Sequence, residues 1–236
     1  ASKMGIPAII DMPAQTPFAK VSRTRAFGAE VVLEGRNLNE CEGTVSRLIA
    51  ERGLSLIHPY DNELVMMGQG TAGLEMLTDK PDLDILLVPI GGGGLMGGIA
   101  TIARHMRPDI TIFGVQTELY PAMKLAIAGE DIVCGGETLA EGIAVKKPGA
   151  VTQPVISEHV DDVLLVDEQS LEWAVGTLVE QQRVVSEGAG AAGIAAIHQH
   201  RETFAGRKVG VVICGGNIDP RLLASILNRN MASDGR

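Results

Sequence analysis

The chain has 236 residues, 29 of them Gly, with four Phe, two Tyr and one Trp; 45 % of residues are apolar and 21 % charged, a balance that excludes intrinsic disorder and leaves room for one large domain or two small ones. The net charge is −9 and no basic run is longer than Lys146-Lys147, which argues against nucleic acid as a partner. No apolar run is long enough to span a bilayer, and three widely separated cysteines (Cys41, Cys134, Cys214) point to a reducing, cytoplasmic setting.

Ala1–Gly5 reads as the end of a helix with Gly5 as its stop, so the chain is expected to begin inside an element and to be a segment of something longer. A strand over Pro7–Met12 follows. Thr16-Pro17 then reads as an N-cap and a first-turn proline opening a helix at 19–27. Next come a strand at Glu30–Leu33, a helix at 40–52 and a strand at Ser55–Ile57. Pro59 and Asp61-Asn62 interrupt the pattern, which places a border near His58–Asn62 and divides the chain into 1–60 and 61–236.

The second part alternates a helix at 63–78, a strand at Leu83–Pro89, a helix at 95–106, a strand at Thr111–Val115 and a helix at 120–128. A strand at Asp162–Val166, a helix at 168–182 with Asp167 as N-cap, a helix at 189–200, a strand at Val209–Cys214 and a helix at 219–228 complete it. The runs 83–89 and 209–214 are almost continuously apolar, as in strands buried on both faces of a parallel sheet. Alternating strands and helices predict an α/β fold. The polar tail from 229 to 236 reads as the start of a lost C-terminal extension.

The strongest chemical signal is a buried strand running into Gly91-Gly92-Gly93-Gly94 and then a helix. Consecutive N–H groups without side chains at a helix N-terminus form an anion site, most often for phosphate; the competing reading is a tight strand–helix turn needed for packing. No Gly-Lys-Ser/Thr follows, so this is not a nucleotide P-loop. Gly92-x-Gly94-x-x-Gly97 with Glu118 also fits a dinucleotide fingerprint, which would make the protein an NAD enzyme. A second strand ends at Cys214-Gly215-Gly216-Asn217, where the thiol is either a structural group or a neutral hydrogen-bonding partner of a ligand. In Ser186-Glu187-Gly188-Ala189-Gly190, Glu187 serves either the dipole of the following helix or a site. Gly68-Gln69-Gly70-Thr71 and Thr138–Val145 are weaker glycine signals, and His198-x-His200 lacks metal-ligand spacing on a helix, so no metal is expected.

Taken in order, these stretches resemble the serine/threonine ammonia-lyase family of fold-type II pyridoxal-phosphate enzymes. The resemblance runs from Met4-Gly5-Ile6-Pro7-Ala8 through Gly28-Ala29-Glu30-Val31, His58-Pro59-Tyr60-Asp61 and Gly68-Gln69-Gly70-Thr71. It continues through Pro89–Leu95, Ala140–Lys146, Glu187–Ala191 and Cys214–Asn217, and is strongest toward threonine ammonia-lyase. It implies a tryptophan synthase β-like fold with two parallel-sheet αβα domains, the smaller one incomplete. It also implies pyridoxal 5'-phosphate as cofactor, threonine and serine as substrates, a cytoplasmic homo-oligomer and a place in isoleucine biosynthesis. In that family Gly91–Gly94 and Leu95 would hold the cofactor phosphate, Gly142 would pack beside the ring, Cys214 would face the pyridine nitrogen and Glu187 would line the reacting groups. The family's Schiff-base Lys and its Ser-Gly-Asn-His stretch would lie upstream of Ala1, so the 236 residues alone are expected to be inactive. Two positions where some relatives carry cation ligands hold Gln116 and Ala122. An inactive anion- or cofactor-binding remnant and a serine racemase stand as alternatives.

Overall fold

The computed structural model describes residues 1–16, 18–36 and 38–233. The chain forms two compact units, Ala1–Ile57 and His58–Arg236.

In the first unit a single tight turn, Ser2–Met4, ends at Gly5, whose φ of 67° lets its N–H reach back to the Ser2 carbonyl. Strands β1 (Ile9–Met12) and β2 (Glu30–Leu33) pair in parallel, from Ile9↔Glu30 to Met12↔Leu33. Helices α1 (Phe18–Ala26) and α2 (Leu38–Arg52) follow them in turn. Pro17 lies outside the described residues, so the expected proline at the start of α1 has no structural account. Arg47–Glu34 (3.0 Å) and Arg52–Glu30 (2.8 Å) tie α2 to β2. Ser55–Ile57, expected as a strand, is not one. A strand needs a hydrogen-bonding neighbour, no described strand pairs there, and Ile57 stays 77 % exposed.

The second unit carries a four-stranded sheet in the order β5-β4-β3-β6, every neighbour parallel. Its strands are β3 (Ile85–Pro89), β4 (Thr111–Thr117), β5 (Asp162–Val166) and β6 (Val209–Val211). The helices are α3 (Glu63–Asp79), α4 (Gly94–Met106), α5 (Ala122–Ala128), α6 (Thr152–His159), α7 (Glu168–Thr177), α8 (Gly188–Gln199), α9 (Arg201–Phe204) and α10 (Pro220–Ser233). Residues of β3 alternate between two cores. Leu86 and Val88 point into one with Met96, Ile99, Met123 and Ile156; Ile85 and Leu87 point into the other with Leu171, Ala192 and Ile226. That division is why β3 reads as one apolar run.

The asparagine and aspartate caps at Asn62 and Asp167 open α3 and α7; Asp167 accepts from the Ser170 N–H at 2.7 Å, as its position in the sequence predicts. The helix expected over 168–182 stays α-helical only to Thr177 and widens to π turns over Leu178–Gln182. Strand β6 stops at Val211 rather than Cys214, although the Val212 N–H still donates to the Leu87 carbonyl (3.1 Å), because the chain then turns to bring Cys214 beside Ala189. Helix α6 has no counterpart among the predicted elements. Gly70 and Gly73 let α3 lie directly on α4: a side chain at Gly73 would meet the Ile99 backbone at 3.2 Å, and one at Gly98 would overlap the Met66 carbonyl.

Candidate cofactor site

Open α/β sheets bind ligands beyond the carboxyl ends of their strands. There, β3 passes through Ile90 into Gly91–Gly93, and α4 begins at Gly94 with Gly93 as N-cap at φ 103°. Gly92, Gly93 and Gly94 are buried. None of the turn, loop or cap hydrogen bonds among the described residues uses the N–H of Gly91, Gly92, Gly93 or Gly94 as donor. Leu95, half-buried, stands in the same first turn, whose N–H groups no helix can satisfy internally. Unpartnered buried N–H groups at the positive end of a 13-residue helix can donate to a bound anion.

The glycines are also packed from behind, so the packing reading holds alongside the anion reading. The Tyr60 ring lies where a side chain at Gly92 would project, and the Tyr60 backbone would meet one at Gly94 at 3.0 Å. Thr152 Oγ1, Ile156 and Met123 crowd the corresponding side of Gly93. Tyr60 is itself fixed: its ring meets His58 edge-on at 4.7 Å, and His58 Nδ1 accepts the N–H groups of Tyr60 (3.3 Å) and Asp61 (2.7 Å). The Asp61 carboxylate accepts from Ala150 N–H (2.8 Å) and Val151 N–H (2.7 Å), which sets the start of α6. Burial acts to raise its pKa, but the N–H groups of Val151, Ala150 and Thr152 outweigh that and hold it below the ordinary value.

Gly142, Glu187 and the Cys214 loop form a contiguous wall with Gly91. A side chain at Gly91 would meet the Gly142 carbonyl at 3.2 Å, and one at Gly142 would meet Glu187 Oε1 at 3.1 Å. Glu187 is the N-cap of α8, yet its carboxylate makes no cap bond; Oε2 instead accepts the Asn217 N–H at 3.0 Å, so the residue ties α8 to the loop after Cys214. Cys214 is open to solvent on one side, with Sγ 4.0 Å from the Ala189 carbonyl. Burial by its neighbours, and then the Glu187 carboxylate, push its thiol pKa up, so it is a neutral thiol at physiological pH rather than a nucleophile.

Four supporting residues have no role assigned from sequence: Thr152 and Glu168 lie outside the quoted motifs, and Tyr60 and Ser186 lie within them. Glu168 accepts from Thr117 Oγ1 (3.1 Å), Thr138 Oγ1 (2.6 Å) and the Leu139 N–H (2.7 Å), pinning the segment that leads to Gly142. Ser186, buried, donates to the Gly215 carbonyl at 3.0 Å. Gln116, noted only as a departure from relatives, is fully buried and uses both ends of its amide. Away from this region, His198 stacks on Trp173 at 3.8 Å and His200 Nε2 meets the Leu165 carbonyl at 3.0 Å. Among the described residues no three His, Cys, Asp or Glu side chains come together as a metal site, and no helix is long and apolar enough to cross a membrane.

Residues 1–215 match the family model of pyridoxal-phosphate dependent enzymes. The chain belongs to that family. This sets aside the dinucleotide reading of Gly92, Gly94, Gly97 and Glu118, and the parallel-sheet architecture is that of the fold-type II enzymes. The chain is 41 % identical over 238 residues to the L-threonine ammonia-lyase of Thermotoga maritima, across all of this chain and 59 % of that protein. It superposes on the processed form of threonine deaminase isoform 2 from Solanum lycopersicum with a TM-score of 0.89 and 30 % identity, over 96 % of this chain and 63 % of that one. Maize serine racemase gives 0.87 and 31 %, over 97 % and 72 %. The chain thus spans 59 % of the length of its Thermotoga relative.

Proposed function

We propose that this chain supplies the cofactor-phosphate loop and ring-facing wall of a pyridoxal-phosphate-dependent threonine/serine ammonia-lyase. The observation that carries the reading is the N–H row of Gly91–Gly94 at the start of α4, unpartnered among the described residues and buried at Gly92, Gly93 and Gly94. In this reading Gly91–Gly94 and Leu95 hold the cofactor phosphate, and Gly142 leaves room beside the ring. Cys214, kept neutral by its surroundings, faces the ring nitrogen without forcing a proton onto it. Glu187 borders the reacting groups while holding the Asn217 loop. The cofactor, when bound, supplies the electron sink that makes the α-proton of the amino acid removable. Loss of the β-hydroxyl then leads to 2-oxobutanoate from threonine, or pyruvate from serine, with ammonia.

A second reading has its own support. Lys124 is engaged by Asp162 (3.1 Å) and Lys208 by Asp82 (2.6 Å). Lys208 and Asp82 precede β6 and β3, at the sheet edge opposite Gly91. These two amines are thus committed to carboxylates, which speaks for a cofactor-binding unit in which neither serves as the covalent anchor. We extend the proposal to a homo-oligomer, for which the exposed Met4, Phe18 and Phe27 of the first unit speak, and to cytoplasmic amino-acid metabolism, including isoleucine biosynthesis, which uses 2-oxobutanoate.

The test is oxo-acid release from L-threonine and L-serine by the full-length protein with pyridoxal phosphate, alongside chiral analysis of the serine. The expected result is 2-oxobutanoate from threonine. D-serine without oxo acid would replace the lyase by a racemase, and binding without either product would leave the cofactor-binding unit.

A further inference from the structure

Two peptide planes of the glycine loop are fixed from behind by fully buried polar side chains. The Gly92 carbonyl accepts from Thr152 Oγ1 at 2.6 Å and from the Gly149 N–H at 3.2 Å. The Ile90 carbonyl accepts from Gln116 Nε2 at 3.3 Å. Both Thr152 and Gln116 are 0 % exposed. Gln116 cannot turn over, because its Oε1 already accepts the Met123 and Lys124 N–H groups at the start of α5, each at 3.1 Å. Thr152 is held by the α6 start that Asp61 caps.

In a trans peptide the carbonyl of one residue and the N–H of the next point in opposite directions, and no cis peptide occurs among the described residues. Drawing the Ile90 carbonyl toward Gln116 therefore turns the Gly91 N–H the other way. Drawing the Gly92 carbonyl toward Thr152 does the same for the Gly93 N–H. Glycine has no side chain to resist rotation of these planes, so an unanchored run of four would sample many orientations and lose entropy on closing around a ligand.

We propose that Thr152 and Gln116 are positioning residues that pre-aim the N–H groups of Gly93 and Gly91 at the cofactor phosphate. The proposal rests on the phosphate reading of the loop. It predicts that their loss weakens binding through the phosphate alone, not through the ring.

The experiment compares equilibrium binding of pyridoxal 5'-phosphate and of pyridoxal, which lacks the phosphate, to the full chain and to Thr152→Val, Thr152→Ser and Gln116→Leu. The 31P chemical shift of the bound phosphate is recorded in parallel. Thr152→Val keeps the side-chain shape and removes the hydroxyl donor. About a tenfold loss of affinity for pyridoxal phosphate is expected, with pyridoxal unchanged and the 31P resonance moved toward its free position. Thr152→Ser, which keeps the donor, should return affinity to within about twofold of the unaltered chain. Gln116→Leu also removes the cap of α5; if it fails to fold, the Thr152 pair decides. Equal losses for both ligands, or an unmoved 31P shift in Thr152→Val, would overturn the positioning role. If the unaltered chain binds pyridoxal as tightly as pyridoxal phosphate, the phosphate reading itself falls, an outcome distinct from the other two.

Discussion

Gly93→Ala is the sharpest test of the glycine loop. Its φ of 103° lies in a region L side chains rarely adopt, which costs about 1–3 kcal/mol. The new Cβ would stand 2.6 Å from Thr152 Oγ1, 2.8 Å from Ile156 Cδ1 and 2.9 Å from Met123 Cε. The Met123 and Ile156 tips can shift, but Thr152 cannot move without giving up its bond to the Gly92 carbonyl. Overpacking of this kind adds about 1–3 kcal/mol. The sum, about 2–6 kcal/mol, is a large share of the roughly 5–15 kcal/mol typical of a whole domain. Gly129→Ala separates the two causes. Gly129 has φ 71° and nothing within 4 Å of a built Cβ, so only backbone strain of about 1–2 kcal/mol applies. Urea unfolding of both variants, compared at equal slopes, reads the difference. A Gly93→Ala midpoint no lower than that of Gly129→Ala would show that Thr152, Ile156 and Met123 do not enclose the loop.

Glu168→Ala removes the acceptor of three hydrogen bonds and should cost about 2–4 kcal/mol in urea unfolding, with faster amide exchange at Leu139; unchanged exchange there would contradict its pinning role. Asp61→Asn should lower stability by about 1–2 kcal/mol at neutral pH by weakening the α6 start. Because the folded pKa of Asp61 is depressed, its contribution is present above the ordinary value of 3.8 and is lost as pH falls through the lowered folded value. The gap between wild type and Asp61→Asn should therefore begin to narrow below pH 3.8 and vanish once the pH has passed the lowered folded value, and a gap that does not narrow in acid titration counts against the capping role. Alkylation of Cys214, followed site by site by mass spectrometry, should be slow at neutral pH, with the midpoint of its pH–rate profile above the ordinary 9.0. Glu187→Gln should bring that midpoint down, and no movement would mean the carboxylate does not act on the thiol.

The elements legible in the sequence are those whose cause is local. The run Leu83–Pro89 is apolar throughout because its residues divide between two cores, and Asp167 caps the helix it immediately precedes. Ser55–Ile57 has a strand's composition, yet a strand exists only with a partner, which composition cannot supply. Helix α6 has no counterpart among the sequence expectations, and it carries Pro154 in its first turn. A proline there forfeits no helical bond, so Thr152-x-Pro154 followed by Val155-Ile156 was a usable signal. Its start is set by Asp61, some ninety residues earlier, which no window of sequence contains.

The same distinction governs the site. Gly91–Gly94 announces itself because glycine is demanded at its centre, where Tyr60 and Thr152 press behind Gly92 and Gly93, and leaves bare N–H groups along the whole run. The two causes are not rivals. The elements that forbid a side chain at Gly92 and Gly93 include the ones whose donors hold the loop carbonyls, so close packing on one side is what leaves the N–H groups free on the other. Thr152 is invisible to motif reading because a single buried Thr carries no pattern, and Gln116 enters the sequence reading only as a departure from relatives, with no role in the loop. They become functional residues only once the fold brings them against a backbone that has no side chains with which to orient itself. A glycine-rich ligand loop therefore transfers its specification to neighbours distant in sequence.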